Sequence, residues 1–277
     1  MNPSSHAISV RNPVQNPTQD QTQEQTQDQA HGLRRMFGRS RQRFVPLVHN
    51  PHVAFGGVCM ERLCAAFARD GLRTLVVDAG DTASSPHELA HVDLSACVER
   101  LSAAVWFLAA RGLPTRWLDS RGTTAGFLES LAAAVPDADV VLVHASATNL
   151  SRLFAGRAPR PVLLADDQPD SLTHAYGSMK LMSQRLGVLA FDLLLADDGQ
   201  TQRLAQIAHR LADCADRFLG AALGEWAVAD PSADVTEDLD PSLCRLVAAQ
   251  LSGSDACTLP NHPLTRTAPN ASTRHAN

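Results

Sequence analysis

The stretch from His49 to Gly80 has the residues and the order of elements that a phosphate-binding site uses. An apolar strand ends near His49, a loop with Gly56 and Gly57 follows, and a helix leads to a second strand that contains Asp78. The backbone amides of such a loop, and of the helix that follows it, can hold phosphate oxygens. Phosphate chemistry also needs a cation beside the phosphates and an oxygen ligand for magnesium. A phosphate-binding site here therefore requires that the chain supply both a cation and an oxygen ligand for magnesium.

Other polar residues near predicted strand ends have types that could do chemistry. Histidines could bind a metal, acidic pairs could bind a cation or a basic partner, and a hydroxyl near a histidine could be a nucleophile with its base. No third metal ligand lies near the histidines and no nucleophile motif surrounds the hydroxyls, so surface helices and strand-end turns are the simpler interpretation, and we expect no metal site. The residues are His49, His52, His87, His91, Ser146, Thr148, Asp166, Asp167, Asp197 and Asp198.

Short apolar runs separated by helical patterns position these residues. The runs are uniformly apolar rather than alternating, which is typical of parallel strands covered on both faces. Between two of them, apolar residues from Met60 to Phe67 recur at helical spacing. The alternation predicts an α/β fold with a doubly wound, mostly parallel sheet, whose sites lie at the carboxyl ends of the strands. The predicted strands are 43–49, 73–79, 115–119, 138–145, 160–166, 190–197 and 225–230.

Composition excludes several classes of function. The chain has 277 residues and a formal net charge of −5, so non-specific nucleic-acid binding has no electrostatic support. No stretch is long and apolar enough to span a bilayer and no signal peptide is evident, so we expect a cytoplasmic protein. Residues 1–27, rich in Gln and Thr, and the polar tail 253–277 are predicted to be disordered. A helix near 241–251 has one apolar face and a single cation, which favours core packing and weak or absent membrane contact.

Within this frame the chain resembles the MinD/ParA class of P-loop ATPases, and within that class the FlhG type, which regulates flagellar number and placement. Two segments that carry the resemblance are QPDSLTHAYGSMKLMSQRLGVLAFDLLLAD at 168–197 and RLADCADRFLGAALGEWAVADP at 210–231. The resemblance covers about residues 28–250. It implies a MinD-like α/β domain over residues 41–252.

The resemblance places the phosphate loop of the family on residues 50–57. Pro51 and Gly56 take the positions of its two lysines, and Gly57 takes the position of the hydroxyl that holds magnesium. Lys180 is the only lysine of the chain and belongs to a helix far downstream, so no shifted alignment restores a lysine to the loop.

Three further residues of this chain align with functional positions of the family. His144 stands where the family has an Asp that organises metal and water, and Ala196 stands where it has a base-contacting Asn, while Asp78 remains. Contacts to phosphate, metal and base are thus all replaced. This pattern implies a fold kept without ATPase activity, with no cofactor and with no catalytic residue.

A compact patch at residues 28–40 follows the polar tail. It matches an Asp-Gln-Ala-x-x-Leu-Arg motif that FlhG proteins carry at the start of the chain, where the segment acts as an activator helix on the GTPase FlhF. Its apolar residues fall on one side at helical spacing, but so short a helix orders only against a partner or its own domain. From the residues alone, a helix packed on the core is the other interpretation. The predicted partner-binding residues are Asp28, Gln29, Ala30, Leu33, Arg34 and Phe37.

Together these features predict a non-catalytic regulator of flagellar assembly or placement. It would bind an FlhF-type GTPase, or another regulatory protein, through residues 28–37, and reach the cell pole or inner membrane through that partner. Two alternatives stay open. One is a weakly active ATPase that holds ATP and magnesium with the backbone amides of Gly56 and Gly57, and the other is a regulatory scaffold of another polar or envelope system.

Overall fold

The computed structural model describes residues 42–197, 201–233 and 239–252, with only the backbone described at residues 201 and 202. Eight strands of this part form one sheet in the order β3-β4-β2-β5-β1-β6-β7-β8. Neighbouring strands are parallel except for the short antiparallel pair β3 and β4 at one edge. The strands are β1 (Arg43–Val48), β2 (Thr74–Ala79), β3 (Glu99–Arg100), β4 (Val105–Ala109), β5 (Val140–Ala145), β6 (Val162–Ala165), β7 (Ala190–Ala196) and β8 (Ala222–Ala229).

Helices connect the parallel strands and cover both faces of the sheet. Several short 3₁₀ segments lie between β2 and the second of these helices. The predicted doubly wound, mostly parallel α/β fold is confirmed. The helices are α1 (Gly56–Arg69), α2 (Gly126–Ala134), α3 (Ala147–Leu153), α4 (Pro169–Leu186), α5 (Thr201–Leu219) and α6 (Pro241–Ser252).

The core consists of two apolar layers, one on each face of the sheet. Helices α1 and α6 pack on one face, and α2 to α5 pack on the other. Since successive side chains of a strand point to opposite faces, β1 contributes Leu47 to the first layer and Val48 to the second. This two-sided burial explains why the central strands are uniformly apolar.

Helix α6 buries the apolar face that the sequence predicts. Leu243, Leu246 and Val247 are all buried in the layer that contains α1. Among the helices of the described residues, none combines the length and apolar character that crossing a membrane would require.

The predicted strand at 115–119 is wrong, because the chain forms a 3₁₀ helix at Leu113–Trp117. Gly112 precedes this helix in the left-handed region, at a φ of 71°, which turns the chain away from an extended path. The indole of Trp117 then packs on Phe127 of α2, with 4.8 Å between the ring centroids. The apolar character of this segment thus serves packing against a helix rather than strand pairing.

Sequence reasoning missed two strands, the short β3 and the longer β4, which pairs with β2 in parallel register. In β4 only Leu108 is buried, and the other four residues are half-buried. Its neighbour β3 is short and exposed, so β4 lies close to the edge of the sheet. A strand of this kind lacks the fully buried surroundings that make the central strands recognisable.

Residues 1–27, 28–40 and 253–277 lie outside the described residues. The two predicted disordered tails and the predicted activator helix therefore remain predictions.

Candidate functional site at the carboxyl ends of the central strands

The first loop and the ends of three adjacent strands form one corner of the sheet. Strand β5 lies between β1 and β2, and His144 near its end is the register partner of both Leu47 and Asp78. His49 follows β1 directly and its amide donates to the carbonyl of Ala145, at 2.8 Å. Residues far apart in sequence thus meet at the edge where sites of parallel sheets occur.

Asp78, His144 and His49 form a hydrogen-bonded chain across the three strand ends. Nδ1 of His144 lies 2.7 Å from Oδ1 of Asp78, and Nε2 of His144 lies 3.2 Å from Nδ1 of His49. Both imidazoles are almost completely buried, with 5% of His49 and 4% of His144 exposed. The far nitrogen of His49, Nε2, is buried and has no hydrogen-bond partner among the described residues.

Gly80 makes room for this chain. A β-carbon at position 80 would lie 3.0 Å from His144, 3.1 Å from Nδ1 of His49 and 3.2 Å from Oδ1 of Asp78. The amide of Gly80 also donates to that carboxylate oxygen. A side chain here would press on all three members of this hydrogen-bonded chain, so the position favours glycine.

A second pair of imidazoles lies near the first. The rings of His52, in the first loop, and His174, in α4, meet edge to face with 5.9 Å between their centroids. Nδ1 of His174 is another buried nitrogen that no donor or acceptor of the described part of the chain contacts. Electrostatic interactions link His49 to His174, and link both of them to Asp81.

The surroundings oppose positive charge on two of these imidazoles. Burial lowers the pKa of His49, and the neighbouring His144 lowers it further. Burial followed by the proximity of His52 lowers the pKa of His174. At Asp78 burial alone would raise the pKa, but the hydrogen bonds from His144 and from the amide of Gly80, together with the charges of His144 and His49, outweigh burial and lower the pKa of this carboxyl.

These directions predict that the free energy of unfolding falls as the pH falls below about 6.5, the pKa of an unperturbed histidine. Because the pKa values of His49 and His174 are lowered in the folded protein, the unfolded chain binds more protons in that range. Denaturant unfolding at pH 7.5 and pH 5.5 measures the difference. His174→Asn should reduce this pH dependence, while His91→Asn, at an exposed position, should not. Equal pH dependence in all three proteins would contradict the prediction.

Asn50 ties the first loop to the neighbouring strand and helix. Its side-chain nitrogen donates to the carbonyl of Leu164 in β6, at 2.9 Å, and to the carbonyl and hydroxyl oxygens of Ser171 in α4, at 3.0 and 3.1 Å. Its oxygen accepts from the amide of His52. Only 2% of Asn50 is exposed, so these bonds lie away from solvent. Sequence reasoning assigned Asn50 no such role, because nothing local marks contacts more than a hundred residues away.

The other predicted residues of the degenerate nucleotide site take no part in the Asp78–His144–His49 hydrogen bonds. Pro51 is exposed in the turn of the first loop, Gly56 begins α1 and Gly57 is exposed at its second position. Ala196 ends β7, which β6 separates from β1. Of the predicted set, the structure brings only Asp78 and His144 into contact.

Comparisons with known proteins address the fold. No protein-family model matches the chain, and no curated protein matches it by sequence. Among solved structures, it is similar to the MinD cell division protein of Aquifex aeolicus, with a TM-score of 0.54 and 10% identity over 80% of this chain and 100% of that one. The chain has the MinD/ParA-type P-loop α/β fold.

Two further solved structures have this MinD/ParA-type fold. Cobyrinic acid a,c-diamide synthase from Mycobacterium smegmatis, with a bound ATP analogue and magnesium, has a TM-score of 0.54 and 17% identity over 79% of this chain and 100% of that one. The ATP complex of a single-residue variant of McdA from Cyanothece has a TM-score of 0.52 and 12% identity over 76% of this chain and 97% of that one. Identities this low establish the fold alone.

Three of the other polar residues singled out in the sequence, His87, Ser146 and Asp167, have structural partners, and Asp198 lies outside the described residues. His87 accepts from the amide of Leu89 at the start of a 3₁₀ helix, and Ser146 caps α3. Asp167 forms an ion pair with Arg203 at 3.0 Å. Within the part of the chain that the structure describes, no group of three or more His, Cys, Asp or Glu side chains is placed to hold a metal ion.

Proposed function

We propose that this chain is a non-catalytic MinD/FlhG-like regulator of flagellar assembly or placement that acts by binding another protein. The observation that carries the proposal is the Asp78–His144–His49 chain at the corner where a P-loop ATPase binds phosphate and magnesium. The partner is an FlhF-type GTPase, and residues 28–37 form the contact. The partner in turn recruits the protein to the cell pole or inner membrane.

The residues of this corner do not fit ATP with magnesium. The loop HNPHVAFGG at 49–57 has no lysine, arginine, serine or threonine, so it supplies neither a cation for phosphate nor a hydroxyl for magnesium. The carboxylate of Asp78 already accepts from His144 and from the amide of Gly80. The alternative is a divergent ATPase that binds ATP and magnesium through the backbone amides of Gly56 and Gly57 alone.

We expect no measurable ATP hydrolysis and at most weak ATP binding. Calorimetry with ATP and magnesium, alongside a phosphate-release assay, measures both properties on the full chain. The same titration on a P-loop ATPase of this fold provides the positive control. A dissociation constant in the micromolar range or below would favour the divergent ATPase and overturn this part of the proposal.

The partner contact is tested by replacing both Leu33 and Phe37 with alanine. Truncation of a buried anchor in a small helical interface costs about 1–3 kcal/mol, so binding to an FlhF-type GTPase should weaken at least ~10-fold. Thermal stability should stay nearly unchanged. The matched control is Phe218→Ala, which removes an exposed apolar side chain elsewhere, in α5, and should leave binding intact.

A peptide of residues 20–40 should reproduce part of the stimulation of GTP hydrolysis. In the full chain, Gln29→Ala should lower stimulation more than affinity, because this side chain is proposed to meet a polar group of the partner's active site. If the double alanine variant unfolds and the peptide is inert, residues 28–37 are an ordinary packing helix. If the fold stays intact and no FlhF-type GTPase binds, a regulatory scaffold of another polar or envelope system becomes the better function.

A further inference from the structure

The hydrogen-bond chain at the strand ends constrains where its protons lie. A carboxylate can only accept, so the proton between Asp78 and His144 belongs to Nδ1 of His144. When His144 is neutral, its imidazole carries one N–H, which leaves Nε2 as an acceptor. The contact to His49 at 3.2 Å then requires Nδ1 of His49 to donate. By the same rule, Nε2 of His49 has a free lone pair.

That lone pair is the unusual feature of the corner. Nε2 of His49 is buried and has no donor within hydrogen-bond distance in the described part of the chain. Buried polar atoms are nearly always paired, so an orphaned acceptor at the end of an ordered chain indicates a place where a proton or a donor group binds. The free amino acid favours the opposite tautomer, with hydrogen on Nε2. In the neutral state, these hydrogen bonds therefore place both His49 and His144 in their less common tautomer.

We propose that Asp78, His144 and His49 form a proton-binding relay whose outer end is Nε2 of His49. A proton that binds Nε2 releases the hydrogen on Nδ1 of His49 to Nε2 of His144. His49 stays neutral with its tautomer reversed, and His144 becomes an imidazolium ion paired with the carboxylate of Asp78. One proton enters, and the net charge of the three side chains changes from −1 to 0.

The charged groups around His49 favour this placement of the positive charge. The imidazole of His174 approaches from α4 and that of His144 from β5, and both oppose a charge on His49 itself. The carboxylates come from β2, as Asp78, and from the loop after it, as Asp81. In the first loop, His52 contacts His174 rather than the relay. The ion pair of His144 with Asp78, at 2.7 Å, is therefore the site where the added charge is best compensated.

The relay changes the chemistry that the corner offers to a ligand. Before the proton binds, Nε2 of His49 accepts and suits a ligand with an N–H or O–H group. After the proton binds, the same atom donates and suits a carbonyl or phosphate oxygen. Mild acidification thus reverses the hydrogen-bond polarity of one buried position while the backbone stays in place. This inference does not depend on the flagellar proposal, because it concerns side chains of the described domain alone.

Nuclear magnetic resonance of the full chain labelled with ¹⁵N-histidine tests the relay. The chain has 11 histidines, and single His→Asn variants assign the signals of His49 and His144. At pH 8 both should carry hydrogen on Nδ1. As the pH falls, His49 should switch to hydrogen on Nε2 in the same step in which His144 becomes positively charged. A neutral His49 with hydrogen on Nε2 at pH 8 would overturn the proposal.

Asp78→Asn supplies the second measurement. Removing the carboxylate should lower the pH at which the relay takes up its proton, because the charge that compensates the imidazolium ion is lost. The control His91→Asn removes an exposed histidine elsewhere and should leave this pH unchanged. An unchanged pH in a folded Asp78→Asn would also overturn the relay. If that variant does not fold, the tautomers of His49 and His144 in the unaltered protein test the proposal.

Discussion

Replacement of Asn50 by leucine is expected to lower the free energy of unfolding by about 2–3 kcal/mol, the cost of leaving buried polar groups without partners. Leucine has a similar size but cannot donate, so it would face the carbonyls of Leu164 and Ser171 with an apolar group. Burial of the site prevents water from replacing the lost bonds. The loss should appear as a lower denaturant midpoint with an unchanged slope.

The matched control for this variant lies at the same corner. Gln168 is exposed just before α4, and its side chain donates to the carboxylate of its neighbour Asp167. Gln168→Leu makes the same chemical change at a solvent-accessible position and should alter stability by less than about 0.5 kcal/mol. Equal losses in both variants would mean that the bonds of Asn50 do not hold the first loop.

Gly224→Ala, in the edge strand β8, is expected to lower the free energy of unfolding by about 2–3 kcal/mol, since it disrupts the ion pair between the partly exposed Arg160 and the buried Asp192. A β-carbon there would clash with the guanidinium of Arg160 and would lie 2.8 Å from Oδ1 of Asp192. Arg160 contacts that oxygen at 2.6 Å, and the side chain of Asp192 is completely buried. Displacing Arg160 would leave the carboxylate with two hydrogen bonds, from Gln250 and from the amide of Glu225.

The control for this variant is the same substitution in a helix. Gly177 lies exposed within α4, and a β-carbon there meets no atom within 4 Å. Gly177→Ala should therefore stabilise the protein by about 0.5–1 kcal/mol, because alanine favours the helix. The two alanine variants should thus shift the thermal midpoint in opposite directions. A stable Gly224→Ala protein would show that Arg160 relocates without loss and that the ion pair contributes little.

The sequence alone determined the class of fold. Uniform apolar runs separated by helical patterns arise when strands are buried on both faces, and the two core layers have that arrangement. Helix α1 was predictable because its buried residues recur at helical spacing. The absence of a lysine from the first loop is likewise a property of the sequence. Each of these features depends on residues close together in the chain.

Tertiary structure decided the strand order and, through it, the chemistry of the corner. Sequence reasoning treated His144 as a lost carboxylate and His49 as a loop residue. Because β5 inserts between β1 and β2, those two histidines and Asp78 become hydrogen-bonded neighbours although 66 and 95 residues separate the bonded pairs. Strand β4, next to the edge of the sheet, escaped prediction for a related reason. Its pairing with β2 depends on a neighbour that local sequence does not contain.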